Sequence, residues 1–81
     1  RIRLRQLELL AALEHAPTLS AAAREARLSQ PAASKLLAAL ASDLDVALFE
    51  KAARSLHPTA AGRALIRHAA NLVGYLDRAQ A

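Results

Sequence analysis

Ser20-Ala21-Ala22-Ala23-Arg24-Glu25-Ala26-Arg27-Leu28-Ser29-Gln30-Pro31-Ala32-Ala33-Ser34-Lys35 is the stretch of this 81-residue chain on which its reading turns. Ser20 can cap a helix from Ala21 to about Arg27, its hydroxyl accepting from the orphan amides of the first turn. Ala22, Ala23 and Ala26 bring little side chain to a core, and what they permit is close approach of a neighbouring helix backbone. Arg27-Leu28-Ser29 then reads as a turn of about three residues. Ser29 is the next cap, because Pro31 falls in a first helical turn, where its missing N–H costs little. The helix it opens runs from Gln30 to about Leu44. At about 100° per residue, Ala33, Leu36, Leu37, Leu40 and Leu44 share one face, and Pro31, Ser34, Lys35, Ala38 and Ser42 the other. One face packs and the other is free to touch a partner.

Outward from this unit, Leu4, Leu7, Leu10, Ala11 and Leu13 recur at three- and four-residue steps, with Arg5, Glu8, Ala12 and His15 between them. That spacing predicts an amphipathic helix from Leu4 to about Ala16, stopped by Pro17. Downstream, Asp45 to Pro58 loses helical periodicity and holds the sole phenylalanine, Phe49. Two short strands are predicted there, near Phe49 to Lys51 and near Ser55 to His57, around a tip at Ala52-Ala53-Arg54. Thr59 caps a last helix that continues to the chain end, with the apolar stripe Leu65, Ile66, Ala69, Leu72, Val73 and Leu76. Part of that stripe can pack on the chain's own core, but Leu72 to Leu76 lie beyond the reach of three short helices. A like stripe on a second copy is the simplest cover, so the stripe is the expected dimer interface.

Composition agrees with a single helical module. Hydrophobic residues make up 54% of the chain, but 22 of its residues are alanine and 16 leucine, and aromatics are 2%, which leaves little from which to build an all-β domain. The absence of cysteine excludes disulfides, thiolate metal sites and cysteine nucleophiles. His15, His57 and His68 fit no ligand spacing, and no nucleophile–base pair or phosphate-cradling glycine loop is present. Asp43, Asp45 and Glu50 read as turn and surface residues. No enzyme activity, metal or cofactor is expected. No apolar run approaches a membrane span and no signal-like stretch follows Arg1, so a soluble, cytoplasmic piece of a longer protein is expected.

The formal charge is +4 and is unevenly placed. No acid lies between Glu50 and Asp77, a stretch that contains Lys51, Arg54, Arg63 and Arg67, and Arg1, Arg3 and Arg5 open the chain. Basic segments on a small domain are a footprint for a polyanion, most often nucleic acid. A short helix, a tight turn and a second helix form the helix-turn-helix arrangement, in which the second helix projects its first turn into the major groove. Side chains there must be small and polar, and Gln30, Ser34 and Lys35 meet that demand. Arg5, Ser20 and Ser29 stand where helix-start amides and hydroxyls make phosphate ligands.

The run Leu28 to Lys35, followed by Leu48-Phe49-Glu50-Lys51, Arg54 and Pro58-Thr59-Ala60-Ala61-Gly62, resembles the amino-terminal DNA-binding domain of LysR-type transcriptional regulators. Leu4-Arg5-Gln6-Leu7 and Ser20-Ala21-Ala22-Ala23 match the same pattern, so the resemblance covers nearly the whole chain. It implies a mainly α, winged helix-turn-helix domain over residues 1–58, with a three-helix core and a two-stranded wing, then a linker helix over 59–81 that pairs antiparallel in a homodimer. It further implies sequence-specific binding to double-stranded DNA with a two-fold operator. Gln30, Pro31, Ser34 and Lys35 would meet bases, Arg54 of the wing the minor groove, and Arg5, Ser20, Ser29 and Lys51 phosphates. A small-molecule effector would act only through an effector-binding domain absent from this chain. The chain departs from the pattern at Ala41, where glutamate is usual, at Asp45, where glycine is usual, at Lys51, where arginine is common, and in a wing tip without glycine. The rival reading is a small helical protein-interaction module without DNA specificity.

Overall fold

The computed structural model describes residues 2–52 and 55–80, with the side chains of Lys51, Ala52 and Ser55 left aside. The elements are α1 (Leu4–Leu13), α2 (Leu19–Glu25), α3 (Gln30–Leu44), β1 (Phe49–Ala52), β2 (Ser55–Pro58) and α4 (Ala60–Gln80). The strands form an antiparallel hairpin that pairs Phe49 with Pro58, Glu50 with His57, Lys51 with Leu56 and Ala52 with Ser55. Each strand is one residue longer than the sequence pattern predicts. The architecture is the expected one: three helices, a small wing and a long final helix.

Helix α1 lies at the centre, packed against α2, α3 and α4. Its buried residues are Gln6, Leu9, Leu10 and Ala12, a different set from the predicted stripe, and Leu4 is 56% exposed. The reason is that neighbours cover α1 on several sides, so burial is wider than one stripe, and Leu4 sits at the helix start. The helix also stops at Leu13, earlier than Ala16, and the Glu14 and His15 amides donate to Ala11 and Ala12 carbonyls in tight turns ahead of Pro17.

The cap of α2 is Thr18 and not Ser20. Thr18 has extended backbone (φ −140°, ψ 162°) and its Oγ1 accepts from the Ala21 N–H at 3.1 Å, which starts the helix at Leu19 and places Ser20 inside its first turn. The end is set by Arg27, which takes the left-handed conformation at φ 61°. This lets the Leu28 N–H reach back to the Ala23 carbonyl (2.8 Å) and the Arg27 N–H to that of Arg24 (3.1 Å), closing two orphan acceptors in the Schellman pattern. Helix α3 ends the same way. Asp45 is left-handed (φ 55°, ψ 42°), and Val46 and Asp45 amides donate to Ala41 and Ser42 carbonyls. Its start follows expectation, with the Ser29 Oγ accepting from the Ala32 N–H at 3.2 Å and Pro31 in the first turn.

The core is built from Leu9, Leu10 and Leu40, fully buried, with Leu37, Leu48 and Ile66 around them. Ala22, Ala23 and Ala33 are also fully or almost fully buried, and their small side chains let α2 and α3 lie close to α1. On α3 the predicted face is the packed one at Ala33, Leu37 and Leu40, with Leu36 half-buried, but Leu44 lies past the edge of the core and is exposed. Gln6 is the one buried polar residue among the described residues. Its Oε1 accepts from the Arg3 N–H (2.9 Å) and its Nε2 donates to the Leu36 carbonyl (3.4 Å), so the amide bridges α1 to α3 without an unsatisfied atom.

The wing root is tied to α4 through Thr59. Its N–H donates to the Leu48 carbonyl (2.9 Å), its hydroxyl donates to the Ala47 carbonyl (2.7 Å), and the same Oγ1 accepts from the Gly62 N–H (3.1 Å). Gly62 packs so close to Leu48 that a Cβ on it would lie 2.0 Å from the Leu48 carbonyl oxygen. Farther along α4, Ile66 and Ala69 are buried against the chain's own core, together with Gly62. The first half of α4 is thus packed on the core. Beyond it Leu72, Tyr75 and Leu76 are 49%, 66% and 38% exposed.

Candidate nucleic-acid interface

The first turns of α3 carry Gln30, Pro31, Ser34 and Lys35, all exposed, beside the face that Ala33, Leu37 and Leu40 bury. Burial of one face fixes the rotation of the helix and leaves these four residues at the surface. Ser34 borders a small cleft with Leu37, Ala38 and Ala41 of α3 and with Phe49 and Leu56 of the wing. Lys35 borders the opposite side, an open groove of about 660 Å³ that it shares with Arg5, Leu28, Ala32, Leu36 and Ala39. The strip thus runs between the wing on one flank and the start of α1 on the other.

Arg5 is brought to this strip by a hydrogen bond from its Nη2 to the Arg27 carbonyl at 3.2 Å. Arg27 is the residue in the left-handed turn after α2, and the guanidinium has further N–H donors that this bond does not use. Ser29 accepts from Ala32 through its oxygen, so its own hydrogen remains available to a phosphate. Ser20 has a different engagement: its hydroxyl donates to the Gln30 Oε1 at 2.6 Å. A hydroxyl has one hydrogen, so the expected phosphate contact through Ser20 competes with this bond. Lys51 has a described backbone in β1 but its side chain is left aside, and Arg54 lies outside the described residues.

The predicted dimer stripe is divided. Ile66 and Ala69 are buried in the chain's own core. Leu65 and Val73 are half-buried, and Leu72 and Leu76 are exposed. His15, whose role the sequence left open, has its Nε2 2.9 Å from the Glu25 Oε2, joining the ends of α1 and α2 at the surface. Among the described residues no group of three His, Cys, Asp or Glu side chains could hold a metal ion, and no helix is long and apolar enough to cross a membrane.

Sequence reasoning missed Thr18, Gln6 and Arg27. A signal for Gln6 was present, since a glutamine three residues into a helix is the reaching-back half of a capping box. Nothing in the local sequence marks Arg27, because arginine has no preference for the left-handed region.

Residues 4–63 match the family model described as bacterial regulatory helix-turn-helix protein, lysR family. The HTH-type transcriptional regulator GbpR of Azospirillum brasilense is 43% identical over 79 residues, which span 98% of this chain and 23% of that protein. TcbR of Pseudomonas sp. (strain P51), also an HTH-type transcriptional regulator, is 35% identical over 74 residues, 91% of this chain and 25% of TcbR. The chain therefore spans about a quarter of the length of these curated relatives. Among solved structures, the CbnR DBD–DNA complex superposes with a TM-score of 0.81 at 33% identity, covering 98% of this chain and 91% of that one. Full-length CbnR complexed with its target DNA gives the same TM-score and identity, with 27% of that chain covered.

Proposed function

The chain belongs to the lysR family of bacterial regulatory helix-turn-helix proteins, and from that membership we propose that it binds double-stranded DNA sequence-specifically, as the reading domain of a dimeric transcription regulator. The observation that carries this reading is the exposed strip Gln30, Pro31, Ser34 and Lys35 on a helix whose other face is locked in the core. An α-helix fits the major groove, and short polar side chains on its first turns reach base edges that bulky apolar ones would hold away.

In this reading α3 lies in the major groove with Gln30 and Ser34, four residues apart, addressing neighbouring base pairs. Lys35 meets a base or a phosphate, and Pro31 packs on the base edges beside Gln30. Ser29 at the start of α3, Arg5 and Lys51 hold phosphates and set the register of the domain on the duplex. Arg54 enters the minor groove from the wing tip, where a narrow A·T-rich groove is most negative. Residues 1–58 form the reading unit and residues 59–81 the linker helix, whose exposed Leu72 and Leu76, flanked by Leu65 and Val73, pair antiparallel with a second copy on a two-fold operator. The site of action is the cytoplasm of a bacterium, where its chromosome lies, and any small-molecule effector acts through a part of the protein outside this chain. The module binds and does no chemistry of its own.

The test is binding across salt on a duplex selected from a random pool and on an unselected duplex. Affinity falls on a log–log plot with a slope of about 0.9 per phosphate neutralised. Gln30→Ala lowers affinity for the selected duplex by about 1–3 kcal/mol and leaves the unselected duplex nearly unchanged. A chain indifferent to salt and without duplex affinity would instead be the helical protein-interaction module.

A further inference from the structure

We propose that Ser20 is a specificity-determining residue that acts through Gln30: its hydroxyl fixes which end of the Gln30 amide faces the DNA. The inference rests on the reading of α3 as the DNA-facing helix and goes beyond it by giving Gln30 a hydrogen-bonding polarity.

The contact joins two helices. Ser20 is the second residue of α2 and Gln30 the first of α3, and the Ser20 hydroxyl donates to the Gln30 Oε1 at 2.6 Å. Three features hold the two positions in register. Thr18 caps α2 through Oγ1, Ser29 caps α3 through Oγ, and the Arg27 turn closes with the Leu28 N–H on the Ala23 carbonyl at 2.8 Å. Because Thr18 performs the capping, Ser20 falls in the first turn of α2, where its hydroxyl hydrogen meets the Gln30 amide.

A glutamine amide has an acceptor end and a donor end of almost the same shape, and half a turn about its last bond exchanges them. A glutamine free to make that turn adapts to whichever base edge it meets. With Oε1 held toward α2 by the Ser20 hydrogen, the amide is locked with Nε2 turned away from α2, and Gln30 approaches the groove as a donor. Its complements are acceptor atoms: N7 of either purine, O6 of guanine and O4 of thymine. Where the base that Gln30 faces is cytosine, it presents only the N4 amino donor, and that orientation of the pair is disfavoured. The same bond removes Ser20 from the phosphate ligands, since its one hydrogen is engaged.

The experiment compares the unaltered chain, Ser20→Ala, Ser20→Thr and Gln30→Ala on four duplexes that differ only at the base pair where Gln30→Ala abolishes preference. Alanine is a good helix former at this exposed position, so Ser20→Ala folds. Ser20→Ala is expected to reduce discrimination against cytosine at that pair by about threefold to tenfold, the worth of one hydrogen bond, with affinity for random duplex changed by less than about twofold. Ser20→Thr, which keeps the hydroxyl, retains the discrimination. In the unbound protein, ¹⁵N relaxation of the Gln30 side-chain amide shows faster motion in Ser20→Ala than in the unaltered chain. A uniform loss on all four duplexes and on random DNA makes Ser20 a phosphate contact and overturns the proposal. So does unchanged discrimination with unchanged amide motion. If Gln30→Ala abolishes preference at no base pair, the base-reading role of Gln30 fails first and takes this inference with it, a result distinct from failure of Ser20→Ala alone.

Discussion

Gly62→Ala sets two effects against each other whose signs differ, and the geometry decides between them. Within a helix, alanine is favoured over glycine by about 1 kcal/mol, so helix propensity alone predicts a more stable protein. The new Cβ, however, would lie 2.0 Å from the Leu48 carbonyl oxygen, 3.0 Å from its carbon and 3.3 Å from the Pro58 Cβ. The oxygen cannot swing aside cheaply, because it accepts from the Thr59 N–H at 2.9 Å, and Leu48 is itself buried. Helix α4 must retreat by more than about 1 Å to restore ordinary contact, which costs about 3 kcal/mol as overpacking against backbone and endangers a hydrogen bond worth about 1 kcal/mol. After the gain in propensity, the net destabilisation is about 2–3 kcal/mol, a large fraction of the stability of a domain this small. At about 4–8 °C per kcal/mol, the melting temperature falls by about 8–24 °C. Thermal unfolding followed by helical circular dichroism, with urea unfolding at an unchanged slope, measures this directly. A melting temperature that rises by several degrees would refute the close approach of α4 to the wing root.

Two further substitutions test the ends of helices. Asp45→Gly removes a side chain from the left-handed turn after α3 and should stabilise the chain by about 0.5–1 kcal/mol in urea unfolding, since an L-residue there costs about 1–2 kcal/mol and the gain is partly offset by a freer unfolded chain. Loss of stability would mean that the Asp45 side chain contributes more than its backbone strain removes. Leu72→Asp combined with Leu76→Asp should leave the helical signal nearly unchanged, because both residues are exposed on the single chain, yet convert a dimer to a monomer in sedimentation and remove any concentration dependence of the melting temperature. It should also weaken binding to a duplex with two half-sites far more than to one with a single half-site, and a monomeric unaltered chain at high concentration would end the dimer reading.

What the sequence made legible follows from how local the causes are. Helix α3 is readable from end to end because Ser29, Pro31 and a one-sided leucine spacing all act within the helix itself. Thr59 as a cap, and the hairpin between Phe49 and Pro58, are similarly local. Helix α1 was misread because its burial depends on what surrounds it: Leu9 and Ala12 are covered by helices that the leucine spacing alone does not place. The cap of α2 lies at Thr18, two residues before Ser20, because the chain is extended there directly after Pro17, a backbone property that the side chains do not mark. The candidate site was legible as a set of residue types on one helix face. The bond between Ser20 and Gln30 was not, because it needs the turn at Arg27, and an arginine in the left-handed region carries no sequence mark.

Helix α4 is a single unbroken element from Ala60 to Gln80, about 30 Å long, with its first half locked into the core and its second half in the open. Such a body is a lever whose fulcrum is the packed stretch that ends at Ala69 and whose short arm carries the wing and, through α1, the helix-turn-helix unit. Deflecting the far end by about 5° over the roughly 16 Å beyond Ala69 displaces it by about 1.4 Å, and a continuous helix does not absorb that motion by bending at a break. A partner that grips Leu72 and Leu76 is thus connected to α3 through α4 and α1 without a break in the packing.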